Sequence, residues 1–95
     1  MVNLKHNLVR VRCLECSTTH SILMQLIGSE KEQRSLSFEY EHIFRGELTC
    51  EHCNTAMRLL TTVYEYPKGI INYIEQTNQA CLILDAITEE SLTIE

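Results

Sequence analysis

The sequence predicts a mainly β fold, a small antiparallel sheet of about five strands with little or no helix. Apolar and polar residues alternate in most of the apolar parts of the chain, and this period of two is that of a half-buried strand. β-branched and aromatic residues are concentrated in short runs that end at polar or turn-forming segments, which is typical of strands. No segment combines length with an uninterrupted apolar face at helical spacing.

In the N-terminal half, the alternation over residues 9–13 predicts a strand that leads into a pair of cysteines. The short apolar run 21–27 predicts a second strand, and the polar residues 29–35 an exposed connection. A third strand is predicted over 36–40, where apolar and acidic or hydroxyl side chains alternate. The alternation slips at 42–44, which predicts a bulge there.

In the C-terminal half, residues 57–66 are rich in β-branched and aromatic side chains and predict a strand that ends at a turn over 67–69. Residues 70–79 have a partial helical face, but their asparagines and threonine weaken it, so we expect a loop with a short turn. Residues 80–87 are apolar enough for a buried strand. With it, an acidic C-terminal strand and tail span 80–95.

Length and composition predict one domain over residues 1–95, because 95 residues with 44% apolar content support a single core. The start of the chain has no signal-peptide pattern, and no apolar run reaches the roughly 18 residues of a membrane span. We therefore expect a cytoplasmic protein without a membrane partner. In that compartment, closely spaced cysteines bind metal more often than they form disulfides.

The strongest motif is a pair of Cys-x-x-Cys turns, Cys13-Leu-Glu-Cys16 and Cys50-Glu-His-Cys53. Each turn places two thiolates on one side of a tight loop, and two turns supply the four corners of a tetrahedron. The sequence thus predicts one structural zinc ion held by Cys13, Cys16, Cys50 and Cys53. Iron in the same four-thiolate site stays open as an alternative.

With these four cysteines and the strands around them, residues 8–66 resemble the zinc-ribbon group. The resemblance implies two knuckles, 13–16 and 50–53, on β-hairpins that clamp one zinc, within a ribbon extended to a small antiparallel sheet. Zinc-ribbon knuckles usually carry Pro within and Gly after the second cysteine, whereas here Ser17 and Asn54 take the Gly places. Because Asn adopts positive φ more readily than Ser, we expect the first knuckle to be less regular.

Two histidines lie near the motif in the sequence, and a fifth cysteine lies far from it. His20 follows Cys16 closely and His52 lies inside the second knuckle. Four thiolates already complete a structural site, so we expect both histidines to act beside the ligands, as hydrogen-bonding or solvent-facing groups. Cys81 lies in an apolar segment without a nearby base and is expected to be a core residue.

The function predicted from these features is non-catalytic. A zinc ion with four thiolates has no open coordination position, and no other catalytic motif is present in the sequence. We therefore expect no enzyme but a module for protein–protein interaction: an adaptor, a small regulatory subunit or a homodimer. The residues predicted at its interface are Tyr64, Tyr66 and Tyr73, since Tyr beside aliphatic residues is common at interfaces.

Two alternatives stay open. A basic N-terminal strand with Lys5, Arg10 and Arg12, joined by Arg45 or Arg58, could contact nucleic acid, although the formal charge of −5 disfavours it. A thiol redox switch would form two disulfides and release the metal. We rank it last, because zinc protects its thiolates and neither motif lies at a predicted helix N-terminus.

Overall fold

Nine β-strands and one turn of 3-10 helix form within residues 2–35 and 38–94, the part of the chain that the computed structural model describes. In chain order they are β1 (Val2–Leu4), β2 (Leu8–Cys13), β3 (Thr19–Leu23), β4 (Gln25–Gln33), β5 (Phe38–Thr49), β6 (Ala56–Glu65), β7 (Ile71–Gln79), β8 (Cys81–Ile83), the helical turn Glu89–Ser91, and β9 (Leu92–Ile94).

The strands form three antiparallel sheets. The largest has the order β4-β5-β6-β7, the second β3-β2-β8, and β1 pairs with β9 in the third. The predicted mainly β, antiparallel class is thus confirmed. Nine strands form where five were expected. Two of the four additional strands are long and lie largely in segments whose sequences indicate loops, and the other two, β1 and β9, are three-residue strands that pair with each other.

The two long additional strands are β4, which continues to Gln33, and β7, which pairs with β6 from Ile71 to Gln79. The predictions of a connection over 29–35 and a loop over 70–79 are therefore wrong. Both strands lie at the edges of the large sheet, and most of their side chains are exposed. A strand that buries few side chains needs no alternation of apolar and polar residues, so its sequence carries little signal.

Three other boundaries differ from the prediction. The run 21–27 is split at Met24, whose N–H donates to the carbonyl of Asn7 at 2.7 Å, so the chain passes there from the second sheet to the first. The strand expected over 80–87 is limited to β8, Cys81–Ile83. The third predicted strand begins at Phe38 in β5, and its residues 36 and 37 lie outside the described residues. The strand over 57–66 and the turn after it are confirmed by β6 and the hairpin that follows.

The bulge or bend expected at 42–44 lies opposite Ile43 and Phe44, on the partner strand β4 and not in β5 itself. β5 pairs with β6 without a register shift from Tyr40 to Thr49. The shift lies on the opposite side, in β4 between Leu26 and Gly28. The hydropathy pattern slips in β5 because a polar residue, His42, is buried there while its apolar neighbour Ile43 faces the other side.

The core lies where the two larger sheets meet. Gly46 of β5 provides the close approach: a methyl group added there would lie 2.6 Å from Ile22 Cγ2 and 2.7 Å from Met24 Sδ. The molecule is elongated, with extents of 49 × 20 × 16 Å. Across residues 2–35 and 38–94 there is no helix of the length and apolarity that a membrane crossing requires.

Candidate metal centre

The first cysteine pair lies in a tight turn between β2 and β3. Cys13 is the last residue of β2, and its carbonyl accepts a hydrogen bond from the Ser17 N–H at 2.9 Å. The Cys13 N–H in turn donates to the carbonyl of Thr18, also at 2.9 Å. These two bonds close the loop and hold Cys16 on the same side as Cys13.

The second pair repeats this arrangement between β5 and β6. The Asn54 N–H donates to the carbonyl of Cys50 at 2.7 Å, and the Cys50 N–H donates to that of Thr55 at 2.8 Å. Ser17 and Asn54 have the same positive φ of 64°. The expectation that the first knuckle is less regular is therefore wrong. Flanking hydrogen bonds on both sides offset the greater cost of positive φ for Ser17.

The two turns bring the four sulfur atoms together. All four Sγ atoms lie within 4.8 Å of one another, with separations of 3.5 Å for Cys13–Cys53 and 3.5 Å for Cys16–Cys50. Tetrahedral zinc with Zn–S bonds of about 2.3 Å requires sulfurs about 3.8 Å apart. The four cysteines thus form a cluster that fits a tetrahedral metal ion.

Each knuckle also carries a threonine that the sequence analysis missed. Thr18 Oγ1 lies 3.1 Å from Cys16 Sγ, and Thr55 Oγ1 lies 3.1 Å from Cys53 Sγ. A metal-bound thiolate can only accept hydrogen bonds, so both hydroxyls would donate to it and stabilise its charge. The signal in the sequence is a shared Thr two positions after the second cysteine of each pair.

The thiols differ in acidity. Hydrogen bonds from the Thr18 side chain and backbone lower the pKa of Cys16 to about 6, whereas burial raises the pKa of Cys50 to about 11. Because metals bind thiolates, a metal ion would have to displace the proton of the less acidic Cys50 thiol.

The neighbours of the cluster lie at different depths. His20 Nε2 lies 3.1 Å from Cys50 Sγ, so His20 contacts a ligand, while His52 is exposed in the second knuckle. Their roles beside the metal stay predictions.

Cys81 lies directly opposite Cys13 in the β2–β8 pair and is fully buried, which confirms the core position predicted for it. Burial raises the pKa of its thiol.

The tyrosines predicted at an interface lie on the large sheet, away from the knuckle end. Tyr64 and Tyr73 pair across β6 and β7, and their rings stack with centroids 4.2 Å apart. Tyr73 is 50% exposed and Tyr64 half-buried. Hydrogen bonding with Tyr73 and burial raise the pKa of Tyr64 to about 12. Tyr66 is half-buried, and its N–H donates to the carbonyl of Ile70 in the β6–β7 turn.

Of the predicted nucleic-acid contacts, Arg10 and Arg12 lie on β2 and Lys5 lies in the bend between β1 and β2. Arg10 forms a two-pronged ion pair with Asp85, with N–O distances of 2.7 and 3.1 Å. Hydrogen bonding to Arg10 lowers the pKa of Asp85. Arg12 and Lys5 are exposed. The basic residues Arg45 and Arg58 lie on β5 and β6 of the other sheet.

Comparisons of the chain with protein-family models, with curated proteins and with solved structures found no match. The zinc-ribbon resemblance therefore rests on the four-cysteine cluster and its two hairpins.

Proposed function

We propose that the chain is a structural zinc module that presents one sheet face to a partner protein. The observation that supports zinc is the pair of equivalent knuckles with four converging thiol groups, a closed ligand set typical of structural zinc. In such a site all four coordination positions are taken by the chain. The metal then holds the β2–β3 and β5–β6 hairpins together and activates no substrate.

The partner surface is the face of the large sheet that points away from the core, called here the outer face. Arg45, Leu60 and Thr77 are directly paired across β5, β6 and β7 and alternate with more buried residues, so they share this face. With Ile27 they line an open groove of about 610 Å³. Leu60 is 40% and Ile27 51% exposed. Apolar side chains around a groove with a polar rim are typical of protein-binding surfaces.

The other two functions have less support. Nucleic-acid binding through Lys5, Arg10 and Arg12 would use a strand whose central arginine already pairs with Asp85. Arg58 likewise lies 3.6 Å from Glu47. A redox switch could use the acidic thiol of Cys16, but sulfur contacts of 3.5 Å join cysteines of different knuckles, Cys13 with Cys53 and Cys16 with Cys50.

The metal assignment is tested by native mass spectrometry and elemental analysis of the purified chain. We expect one zinc per chain in the wild type and its loss in Cys53→Ser. The matched control is Cys81→Ala, which removes a buried thiol outside the cluster and should keep the metal. Iron in place of zinc would overturn the metal identity, and retention of full metal by Cys53→Ser would overturn the ligand set.

The interaction surface is tested by a photo-crosslinking amino acid placed at Leu60 in living cells. The control position is Leu82, which is 47% exposed on β8 of the second sheet. We expect a discrete crosslinked partner from position 60 and none from position 82. A crosslink between two copies of the chain would identify the partner as a homodimer. Equal crosslinking at both positions, or none at 60, would contradict the proposed face.

A further inference from the structure

A second set of chemically active side chains lies on the large sheet. Three neighbouring strands each contribute one residue: Ser29 from β4, His42 from β5 and Glu65 from β6. Ser29 Oγ lies 2.8 Å from His42 Nδ1, and Glu65 Oε1 lies 2.7 Å from His42 Nε2. One imidazole thus bridges a hydroxyl and a carboxyl group. Along β5, His42 is eight residues from Cys50, which corresponds to about 26 Å.

The burial of the three residues is graded. His42 is 4% exposed and Glu65 3%, whereas Ser29 is exposed. The second carboxylate oxygen of Glu65 accepts the Gly69 N–H at 2.6 Å, which fixes the side chain from the turn after β6. Burial alone would raise the pKa of Glu65, but the hydrogen bonds from Gly69 and His42 outweigh it and keep the pKa below its ordinary value.

These contacts fix the tautomer of the neutral imidazole. An ionised carboxylate can only accept, so Nε2 carries the proton and donates it to Glu65. Nδ1 then has a free lone pair, and the Ser29 hydroxyl must donate to it. An exposed hydroxyl that donates to an imidazole, itself oriented by a buried carboxylate, is the arrangement that activates serine nucleophiles.

We infer that Ser29 is a nucleophile for activated acyl compounds, with His42 as its general base and Glu65 as a positioning residue. Ser29 Oγ attacks the carbonyl carbon of an ester, a C–O bond forms, and the hydroxyl proton moves to Nδ1. The bond to the leaving alcohol breaks, and the alcohol takes up this proton. Water then attacks the acyl-serine through the same base, which releases a carboxylic acid and restores Ser29.

The surroundings of Ser29 leave room for such a compound. Ser29 is exposed on β4, so a compound can reach its hydroxyl from solvent. β4 is an edge strand, and its register shift leaves Ile27 without a paired residue in β5. Backbone N–H groups of an edge strand that face away from its neighbour can donate to a developing oxyanion. Bulges at sheet edges commonly re-aim such groups.

The test is covalent labelling of the full-length, metal-bound chain with a fluorophosphonate probe at pH 8, followed by peptide mass spectrometry. We expect one adduct, on Ser29, and none in Ser29→Ala. Ser21→Ala removes an exposed serine on β3 and should label like the wild type. His42→Ala should slow labelling about 100-fold or more, the ordinary contribution of a general base.

The Glu65→Gln variant tests whether Glu65 orients His42 or only stabilises the fold. A glutamine amide donates to Nε2 and so shifts the imidazole proton to Nδ1, which removes the acceptor for Ser29. We expect the labelling rate to fall and to be partly restored in Glu65→Asp, which keeps the carboxylate, while the circular dichroism of both variants stays native. The wild type alone can overturn the inference. No adduct on Ser29, or equal labelling in native and urea-unfolded protein, would refute it, whatever the metal content.

Discussion

Gly46→Ala should be among the most destabilising methyl additions in this chain. The new Cβ would lie 2.6 Å from Ile22 Cγ2, 2.7 Å from the Leu23 carbonyl oxygen and 2.7 Å from Met24 Sδ. Carbon atoms pack at about 3.5–4.0 Å, so the contact with Ile22 Cγ2 is about 1 Å too short, and the contacts with the oxygen and the sulfur are also too close for van der Waals packing. Ile22 and Met24 are almost fully buried and have no free space to move into.

The size of the effect follows from which atoms must move. The Leu23 oxygen is backbone, so relief requires β3 and β5 to separate. Overpacking of a close-packed core costs about 1–3 kcal/mol of folding free energy. We expect Gly46→Ala to cost about 3 kcal/mol, because backbone atoms must move. For a domain of this size, that loss lowers Tm by about 12–24 °C.

The matched control is Gly28→Ala, since a Cβ there meets nothing within 4 Å. It should leave Tm unchanged or raise it slightly, because Ala has less freedom than Gly in the unfolded chain. Thermal and urea unfolding of both variants, monitored by circular dichroism with zinc present, measure the difference. A Gly46→Ala variant that melts within about 2 °C of Gly28→Ala would refute the close approach of the two sheets.

Three further predictions concern the metal, one turn and the buried carboxylate. Removal of zinc by a chelator should abolish the native circular dichroism and the cooperative melt, because a structural zinc contributes on the order of 10 kcal/mol; a chelated, metal-free sample that kept its Tm would contradict this. Ala80→Gly should stabilise the chain by about 1 kcal/mol, because Ala80 has a φ of 63° that costs a non-Gly residue about 1–2 kcal/mol; a lower urea midpoint would contradict it. Glu65→Gln should destabilise by about 2 kcal/mol at pH 7. Since the folded pKa of Glu65 is lowered, its stabilisation is present above the unfolded pKa of about 4.3 and is lost as the pH falls through the folded value. The wild-type and variant urea midpoints should therefore converge in acid, and a constant gap would refute the ionised Glu65 carboxylate.

The sequence predicts the four-cysteine cluster correctly because the knuckle is a local structure. Two cysteines separated by two residues meet in one turn whatever the rest of the chain does. That the two knuckles have the same backbone conformation is harder to predict from the sequence. Neither knuckle has the usual Gly after its second cysteine, and backbone hydrogen bonds to Thr18 and Thr55 hold both turns instead. Where such hydrogen bonds fix the loop, the preference of a residue type for positive φ does not predict the loop conformation well.

The strands that the sequence did not predict depend on long-range pairing and not on local structure. Residues 71–79 form β7 because they pair with the free edge of β6. This pairing depends on the tertiary structure, and the residues show no alternation of apolar and polar side chains that would predict it. His42 similarly disturbs the pattern of β5 because its polar partners, Ser29 and Glu65, come from two other strands. Polar residues buried by long-range pairing give no periodic signal, so both the strand register and the Ser29–His42–Glu65 set become visible only in three dimensions.

The four-cysteine cluster and Gly46 lie at the same junction between two sheets. The two knuckles belong to hairpins of different sheets, and no ladder of backbone hydrogen bonds connects those sheets in the part of the chain described. Besides the chain itself, which passes between them at Met24 and Ala80, the sulfur cluster at one point and the packing of Gly46 against β3 at another connect the two sheets. Two constraints on one junction are energetically coupled. The destabilisation by Gly46→Ala and the loss of zinc affinity should therefore be non-additive, because strands already forced apart hold the thiolates in poorer geometry. A double cycle of Gly46→Ala and metal removal in which the effects simply add would show that the knuckles and the sheet packing are independent.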